Sequence, residues 1–272
     1  MSKGLSMLTP LAVVTGATGG IGAAISQSLC NAGFSVLLVG RNSEQLQQLR
    51  EQLASQFNQV AVYALSCDIT NPADRAALVD SVKTLEHPLQ LWVNNAGISH
   101  FGLLHQQSES VLETQINVNV TATLLLTQAL LKAVDHASPL QIINVGSTFG
   151  TIGYPGFCAY AASKFALRGF SEALFRELAD SAIRVRYFAP RATKTSLNSS
   201  AVEAMNAELK VAMDSPETVA KAFMGFLGKP AHSCHVGFPE KLFARLNAIL
   251  PKVVSGAIQK QLSAIKRHAS TV

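Results

Sequence analysis

Short apolar runs bounded by turn residues alternate with helix-period stretches along most of the chain. The runs fall at residues 11–14, 35–39, 60–65, 91–93, 141–145 and 183–188, and the helix-period stretches at 23–32, 43–56, 72–85, 111–134 and 159–179. A further helix starts at Ser215-Pro216-Glu217, with Ser as the cap and Pro in the first turn. Strand following helix in this order predicts a doubly wound parallel sheet with helices on both faces, whose ligands bind beyond the carboxyl ends of the strands. The residues at those ends are Gly16, Gly40-Arg41, Asp68, Asn94 to Gly97, Ser147 and Pro190. Residues 196–214 are polar and rich in Ala and Asn, and read as a mobile lid or an ordinary surface loop. Beyond residue 240, apolar positions three and four apart predict two amphipathic helices broken at Pro251.

Composition narrows the class. With 272 residues the chain suits one large α/β domain, and 48% apolar against 14% charged residues excludes a disordered chain. No apolar run reaches the length of a membrane span, and no charged start or cleavage site precedes the first apolar run, so a cytoplasmic protein is expected. Cys30, Cys67, Cys158 and Cys234 are scattered without a CxxC pair, which favours reduced thiols. His232, Cys234 and His235 have no further ligands near them, so no metal site is expected.

The charge is uneven. From Lys229 onward seven Lys/Arg face one acid, Glu240, so the tail carries +6 and the rest of the chain −1. No basic stripe with interleaved aromatics marks the body, which argues against nucleic acid as a partner. The apolar face of the tail has two competing uses. It packs on the body or a second subunit, the favoured expectation, or it lies on an anionic membrane surface.

Thr15-Gly16-Ala17-Thr18-Gly19-Gly20-Ile21-Gly22 joins the first strand to the first helix. Glycine there lets backbone approach a ligand closely, and the helix N-terminus favours an anion such as a diphosphate. The spacing is T-G-x-x-x-G-x-G with no following GK[ST], which disfavours a nucleoside-triphosphate loop. A glycine turn holding nothing is the plainer alternative. Tyr160 and Lys164 stand four apart on one helical face, and Ser147 ends the fifth strand. An ammonium about 4 Å from a phenol contributes roughly 4 kcal/mol at an effective dielectric of about 20, enough to draw the phenol toward neutrality. Y-x-x-x-K alone is common on amphipathic helices; its conjunction with the glycine turn and Ser147 gives it weight.

These motifs, together with Asn94-Asn95-Ala96-Gly97, Asn119 in INVNV, NVGS ending at Ser147 and YAASK at 160–164, resemble the short-chain dehydrogenase/reductase family in its short single-domain form. The resemblance runs from Leu11 to Thr195 and again through the helix at Ser215, and implies a Rossmann-like fold with residues 1–240 as dinucleotide-binding and catalytic body, a lid at about 191–214, and an extension at 241–272. It implies Tyr160 as general acid, Ser147 polarising a carbonyl, Lys164 lowering the Tyr160 pKa and holding the nicotinamide ribose, and Asn119 ordering a relay water. Asn117 lies two residues from Asn119, and only the family pattern chooses between them. The implied cofactor site comprises Gly16, Thr18, Gly20, Ile21, Gly22, Arg41, Asn42, Asp68, Ile69, Asn95, Ala96, Gly97, Tyr160, Lys164, Pro190, Thr193 and Thr195. No acid stands at Val39 or Gly40 to accept from a ribose 2′-hydroxyl, whereas Arg41 attracts a 2′-phosphate, so NADP(H) is expected.

Two departures matter. Arg191 replaces the family's glycine after Pro190, placing a cation where the nicotinamide carboxamide, the diphosphate or an acidic substrate group could meet it. The long tail replaces the short glycine-rich ending of the ketoacyl reductases, which puts the usual four-subunit packing in doubt; a homodimer is expected instead. The expected activity is reduction of a carbonyl on a lipophilic small molecule, or the reverse oxidation. Pocket walls are expected from 98–103, from Phe149, Ile152, Tyr154 and Phe157, and from the lid. Alternatives are a 3-oxoacyl thioester reductase and, in another class, a non-catalytic NADP-binding sensor or membrane-surface scaffold.

Overall fold

The computed structural model describes residues 8–238 and 240–270. The outer ends of the body and extension drawn from the sequence, residues 1–7 and 271–272, lie outside the described residues, as does Pro239.

Seven parallel strands form one sheet in the order β3-β2-β1-β4-β5-β6-β7. They are β1 (Leu11–Thr15), β2 (Ser35–Gly40), β3 (Val62–Ser66), β4 (Leu89–Asn94), β5 (Leu140–Val145), β6 (Ile183–Ala189) and β7 (Ser233–His235). In the first half each strand is laid beside the last on one side of β1, and from β4 on the order reverses, so a crevice opens between the carboxyl ends of β1 and β4. Helices α1 (Gly20–Asn31), α2 (Ser43–Gln56) and α8 (Pro216–Leu227) cover one face. The other is covered by α3 (Pro72–Thr84), α5 (Thr123–Ala133), which follows α4 (Glu109–Ile116), and by α6 (Cys158–Glu177).

Alternation explains why the strands read as unbroken apolar runs. Ala12, Val14, Val36 and Leu38 enter the core under α1 and α8, whereas Leu11, Val13, Leu37 and Val39 enter the one under α3 and α5. Both sets are desolvated, so neither face tolerates a polar stripe.

Three sequence expectations need correction. The helix expected over 111–134 is interrupted by a π-helical turn, Asn117–Ala122, between α4 and α5. The lid is not an irregular loop: it contains α7 (Ser200–Glu208), capped by Ser199, whose hydroxyl accepts from the Val202 amide. The tail forms three helices, α9 (Glu240–Ile249), α10 (Pro251–Gln259) and α11 (Leu262–Ala269); the break at Pro251 is there, and a second falls at residues 260–261.

The extension is folded onto the body. Ile265 and Ala269 of α11 join Val202 and Met205 of α7 and Phe101 and Phe157 of the body in a third apolar cluster. Glu208 accepts from Arg267 at 2.5 Å and pairs with His268 at 2.8 Å, tying the same two helices at their rim. Asn247 in α9 donates to the Thr151 carbonyl at 2.9 Å. Ile265 is fully buried, so Ile265→Ala should cost about 2–5 kcal/mol and lower the melting temperature by roughly 5–15 °C. Calorimetry of the two proteins checks this, and an unchanged melting temperature would mean that α11 does not pack in solution.

Candidate active site

The carboxyl ends of the strands border one continuous cleft of about 770 Å³. Its floor begins at the glycine turn. Gly16 has φ +63°, a conformation that side chains rarely adopt, and a Cβ there would come within 2.8 Å of the Ala96 Cα. A Cβ at Gly22 would lie 2.2 Å from the Gly16 carbonyl oxygen, so α1 can follow the turn this closely only as glycine. No side chain caps α1 and no acid stands in its first turn, leaving its amide end directed at the cleft.

Of the expected cofactor residues, Gly16, Thr18, Gly20, Ile21, Gly22, Arg41, Asp68, Ile69, Asn95, Ala96, Gly97, Tyr160, Lys164, Pro190, Thr193 and Thr195 border this cleft. Asn42 does not: its side-chain oxygen accepts from the Gln45 amide at 3.0 Å and caps α2. Arg41 is exposed at the rim, close enough to Asp68 to help hold that carboxyl low, although Thr70, whose amide donates to it at 2.9 Å, has the larger effect.

Ser147, Tyr160 and Lys164 meet on the opposite wall. Ser147 follows β5, and its hydroxyl accepts from the Phe149 amide at 3.1 Å and is near enough to Tyr160 to favour the ionised phenol. Tyr160 and Lys164 occupy the first two turns of α6. The Lys164 ammonium lies 5.7 Å from the centre of the Tyr160 ring and donates to the Val145 carbonyl at 3.0 Å. Here the expectation that Lys164 lowers the Tyr160 pKa fails for the protein on its own. Burial pushes the phenol up to about 12, only partly offset by Ser147, and the same burial brings the ammonium down to about 8. The lysine's charge is itself desolvated and its hydrogen bond goes to a carbonyl rather than to the phenol.

Between the two asparagines the structure distinguishes clearly. Asn117 is exposed, whereas Asn119 is buried in the π-helical turn. Its amide donates to the Ile98 carbonyl at 2.9 Å and to the Ser163 hydroxyl at 3.0 Å, and its oxygen accepts from the Ile98 amide at 2.8 Å. Asn119 therefore stands one layer behind the cleft and does not border it.

Arg191 lines the cleft, but its guanidinium is held by an acid of the chain itself. Its guanidinium grips Asp214 with two hydrogen bonds of 2.7 and 2.8 Å, in a pair largely shielded from solvent. The Asp214 amide donates to the Ala192 carbonyl, and the Lys194 amide to that of Asp214, both at 2.9 Å. Arg191 thus closes the two ends of the lid on each other.

Several contributors escape sequence reasoning. Tyr187 in β6 places its hydroxyl 3.3 Å from both the amide and the carbonyl of Ser147, under Gly146, where a Cβ would sit 2.1 Å from the ring. The glycine before Ser147 was the available signal. Phe243, Val254, Ala257, Ile258 and Gln261 of the extension line the far end of the cleft, and Gln261 accepts from the Tyr154 hydroxyl at 2.8 Å. No local pattern in the sequence marks them. That far chamber is aromatic: Phe149 stacks on Tyr154 with centroids 5.2 Å apart and meets Phe157 at 5.1 Å. Ile98 to Phe101 and Ile152 also line it, but Gly102 and Leu103 do not. Among the described residues no group of three His, Cys, Asp or Glu is placed to hold a metal.

A family model described as short chain dehydrogenase matches residues 10–206. A 3alpha-hydroxysteroid dehydrogenase of Mediterraneibacter gnavus is 31% identical over 219 residues, covering 79% of this chain and 88% of that protein. A 3-oxoacyl-(acyl-carrier-protein) reductase of Vibrio cholerae is 30% identical over 220 residues, covering 81% and 84%. Among solved structures, a short-chain dehydrogenase of Sphingobium yanoikuyae in complex with NADPH superposes with a TM-score of 0.77 at 28% identity, over 93% of this chain and 95% of that one. The chain belongs to the short-chain dehydrogenase family and is an oxidoreductase.

The buried lysine yields a test of the site's electrostatics. Lys164 ionises near 10.5 when unfolded and about 8 when folded, so the unfolded chain binds more protons between those values and stability rises with pH across that window. Below it the folded protein carries a desolvated charge. Lys164→Met should therefore stabilise the cofactor-free protein by about 1–3 kcal/mol at pH 7, with the advantage shrinking from pH 8 upward. Thermal melts over that range check it; a variant less stable than the parent at every pH would contradict it.

Proposed function

We propose that this protein is an NADP(H)-dependent reductase of a carbonyl on a lipophilic small molecule, able to run in reverse as an alcohol dehydrogenase. The observation that carries the reading is the continuity of the cleft, which joins the glycine turn and Arg41 through Ser147, Tyr160 and Lys164 to an aromatic chamber.

The residues present fit the cofactor. The turn at Gly16, Thr18, Gly20, Ile21 and Gly22 borders the cleft and packs so closely on Ala96 and Asn95 that Gly16 and Gly22 leave no room for a Cβ, a backbone turn suited to a diphosphate at a helix N-terminus. Exposed Arg41 suits a 2′-phosphate, and Asp68 with Ile69 would flank the adenine. Asn95, Ala96, Gly97, Lys164, Pro190, Thr193 and Thr195 border the remaining length, where the ribose and nicotinamide would lie. The Sphingobium relative is bound to NADPH. When bound, the cofactor would supply the hydride.

The chain's own residues handle the proton and the orientation. Burial keeps the Tyr160 phenol protonated at neutral pH in the ligand-free protein, so it holds the proton that a carbonyl oxygen would take up on reduction. Ser147, which borders the cleft beside Tyr160, would share the same oxygen. Lys164 would hold the ribose, and Asn119 acts through position: it fixes Ile98 and Ser163, and with them the loop and helix on either side of Lys164.

The apolar chamber favours steroid-like or aryl ketones or acyl chains over sugars. The identity to a 3-oxoacyl thioester reductase favours a second reading, a carrier-bound substrate at the cleft rim, where exposed Lys194 would remain to meet a phosphate. Because Arg191 is paired with Asp214, that basic rim is weaker than the sequence implied. A homodimer suits the apolar Ile116, Leu125, Phe165 and Phe175 exposed on α4, α5 and α6.

Tyr160→Phe should lower kcat by about 10²–10⁴-fold while leaving the NADPH dissociation constant within about twofold. Turnover on a ketone substrate with parallel fluorescence titration checks this, and retention of more than a few per cent of activity would remove Tyr160 from the acid role. For the cofactor, Arg41→Ala should reduce the NADPH-over-NADH preference about ten- to a hundredfold, the value of one charge-assisted contact. Equal efficiency with both cofactors in the parent protein would refute the assignment.

A further inference from the structure

The stretch from Phe238 to Val253 leaves six large apolar side chains in water. Phe238 and Ile249 are each 76% exposed, Val253 56%, Leu242 and Leu250 51%, and Phe243 38%. The rest of the extension is accounted for by packing, since Val254, Ala264, Ile265 and Ala269 are buried. In α9, Leu242 and Ile249 are seven residues apart and share one stripe of the helix. Lys241 and Arg245, four apart and both exposed, run along the edge of that stripe, and exposed Lys252 begins α10. From Lys241 to the end of the chain no Asp or Glu occurs.

Phe243 belongs to two surfaces, because it is exposed in this patch and also lines the cleft together with Val254 and Ile258. The apolar patch is therefore continuous with the wall of the chamber.

We propose that this face docks on an anionic lipid bilayer, with the α9 stripe in the headgroup and acyl boundary, the basic residues at the phosphates, and the end of the cleft that Phe243 lines turned toward the lipid. Charge selects this occupant over a second copy of the chain. The same face of a second copy would offer Lys241, Arg245 and Lys252 again and no acid from Lys241 onward to pair with them, whereas anionic headgroups neutralise them and the apolar stripe enters the boundary layer. The inference goes beyond the proposed activity and does not depend on it, since it is read from binding without substrate.

The test is co-sedimentation of the full chain with vesicles of phosphatidylcholine and phosphatidylglycerol in equal parts, beside vesicles of phosphatidylcholine alone. Binding is expected to the anionic vesicles and to weaken as salt approaches about 1 M, where the screening length falls to about 3 Å. Lys241→Gln with Arg245→Gln should weaken it roughly 30-fold, about fivefold for each basic residue. Ile249→Asp should abolish it while solution NADPH affinity stays at the parent value, because Ile249 lies outside the cleft lining. No binding to anionic vesicles, or binding indifferent to both variants, overturns the proposal. A concentration-dependent dimer that Ile249→Asp dissolves, with no vesicle binding, also overturns it and assigns the face to a second copy.

Discussion

The cleft depends on a clasp between the ends of β1 and β4. The Thr15 hydroxyl accepts from the Asn95 amide at 3.0 Å and the Ala96 amide at 3.1 Å, and donates to the Val93 carbonyl at 3.3 Å. The Asn95 side chain reaches back to the Thr15 and Gly16 carbonyls at 3.0 and 3.1 Å. Thr15 is buried, so these polar groups have no water to fall back on, and each bond is costly to lose. With the two strand ends held together, Gly16 must adopt its left-handed conformation beside Ala96, α1 starts where it does, and the loop to Ile98 is delivered to Asn119. Asn119 then fixes Ser163, one residue before Lys164. One small hydroxyl and one amide thus link the glycine turn to the wall that carries Tyr160.

The far side of the cleft is built differently, from segments distant in sequence. The Arg191–Asp214 pair shuts the base of the lid, α7 packs on α11, and α10 contributes its apolar residues to the chamber. A loop joined only at its ends would be free to stay open; one that shares a core with the extension can move only if that core separates. The chamber's size and polarity are consequently set as much by the extension as by the sheet.

The strands and the strand-end residues were legible because a sheet covered on both faces writes itself as apolar runs with turns at fixed places. Ser147, Tyr160 and Lys164 were legible because their spacing survives without tertiary information. Asn119 and Asn117 were distinguishable only once the π-helical turn set which one faces inward. Arg191 was noticed as a departure, but its partner lies 23 residues away and any of several acids could have served. Helix α7 was hidden because its sequence is polar and small, and its buried face, Val202 and Met205, is short. The raised Tyr160 pKa ran against expectation because charge proximity can be guessed from spacing, while desolvation depends on everything that surrounds the site.

The central claim is that this cleft reduces lipophilic carbonyls at the expense of NADPH. Its most direct test is NADPH oxidation by the purified protein with a panel of steroid, aryl and long-chain ketones set against short polar aldoses. Turnover should be confined to the apolar members and be faster with NADPH than with NADH. Tight NADPH binding with no oxidation by any carbonyl in the panel, or turnover of the sugars alone, would contradict it.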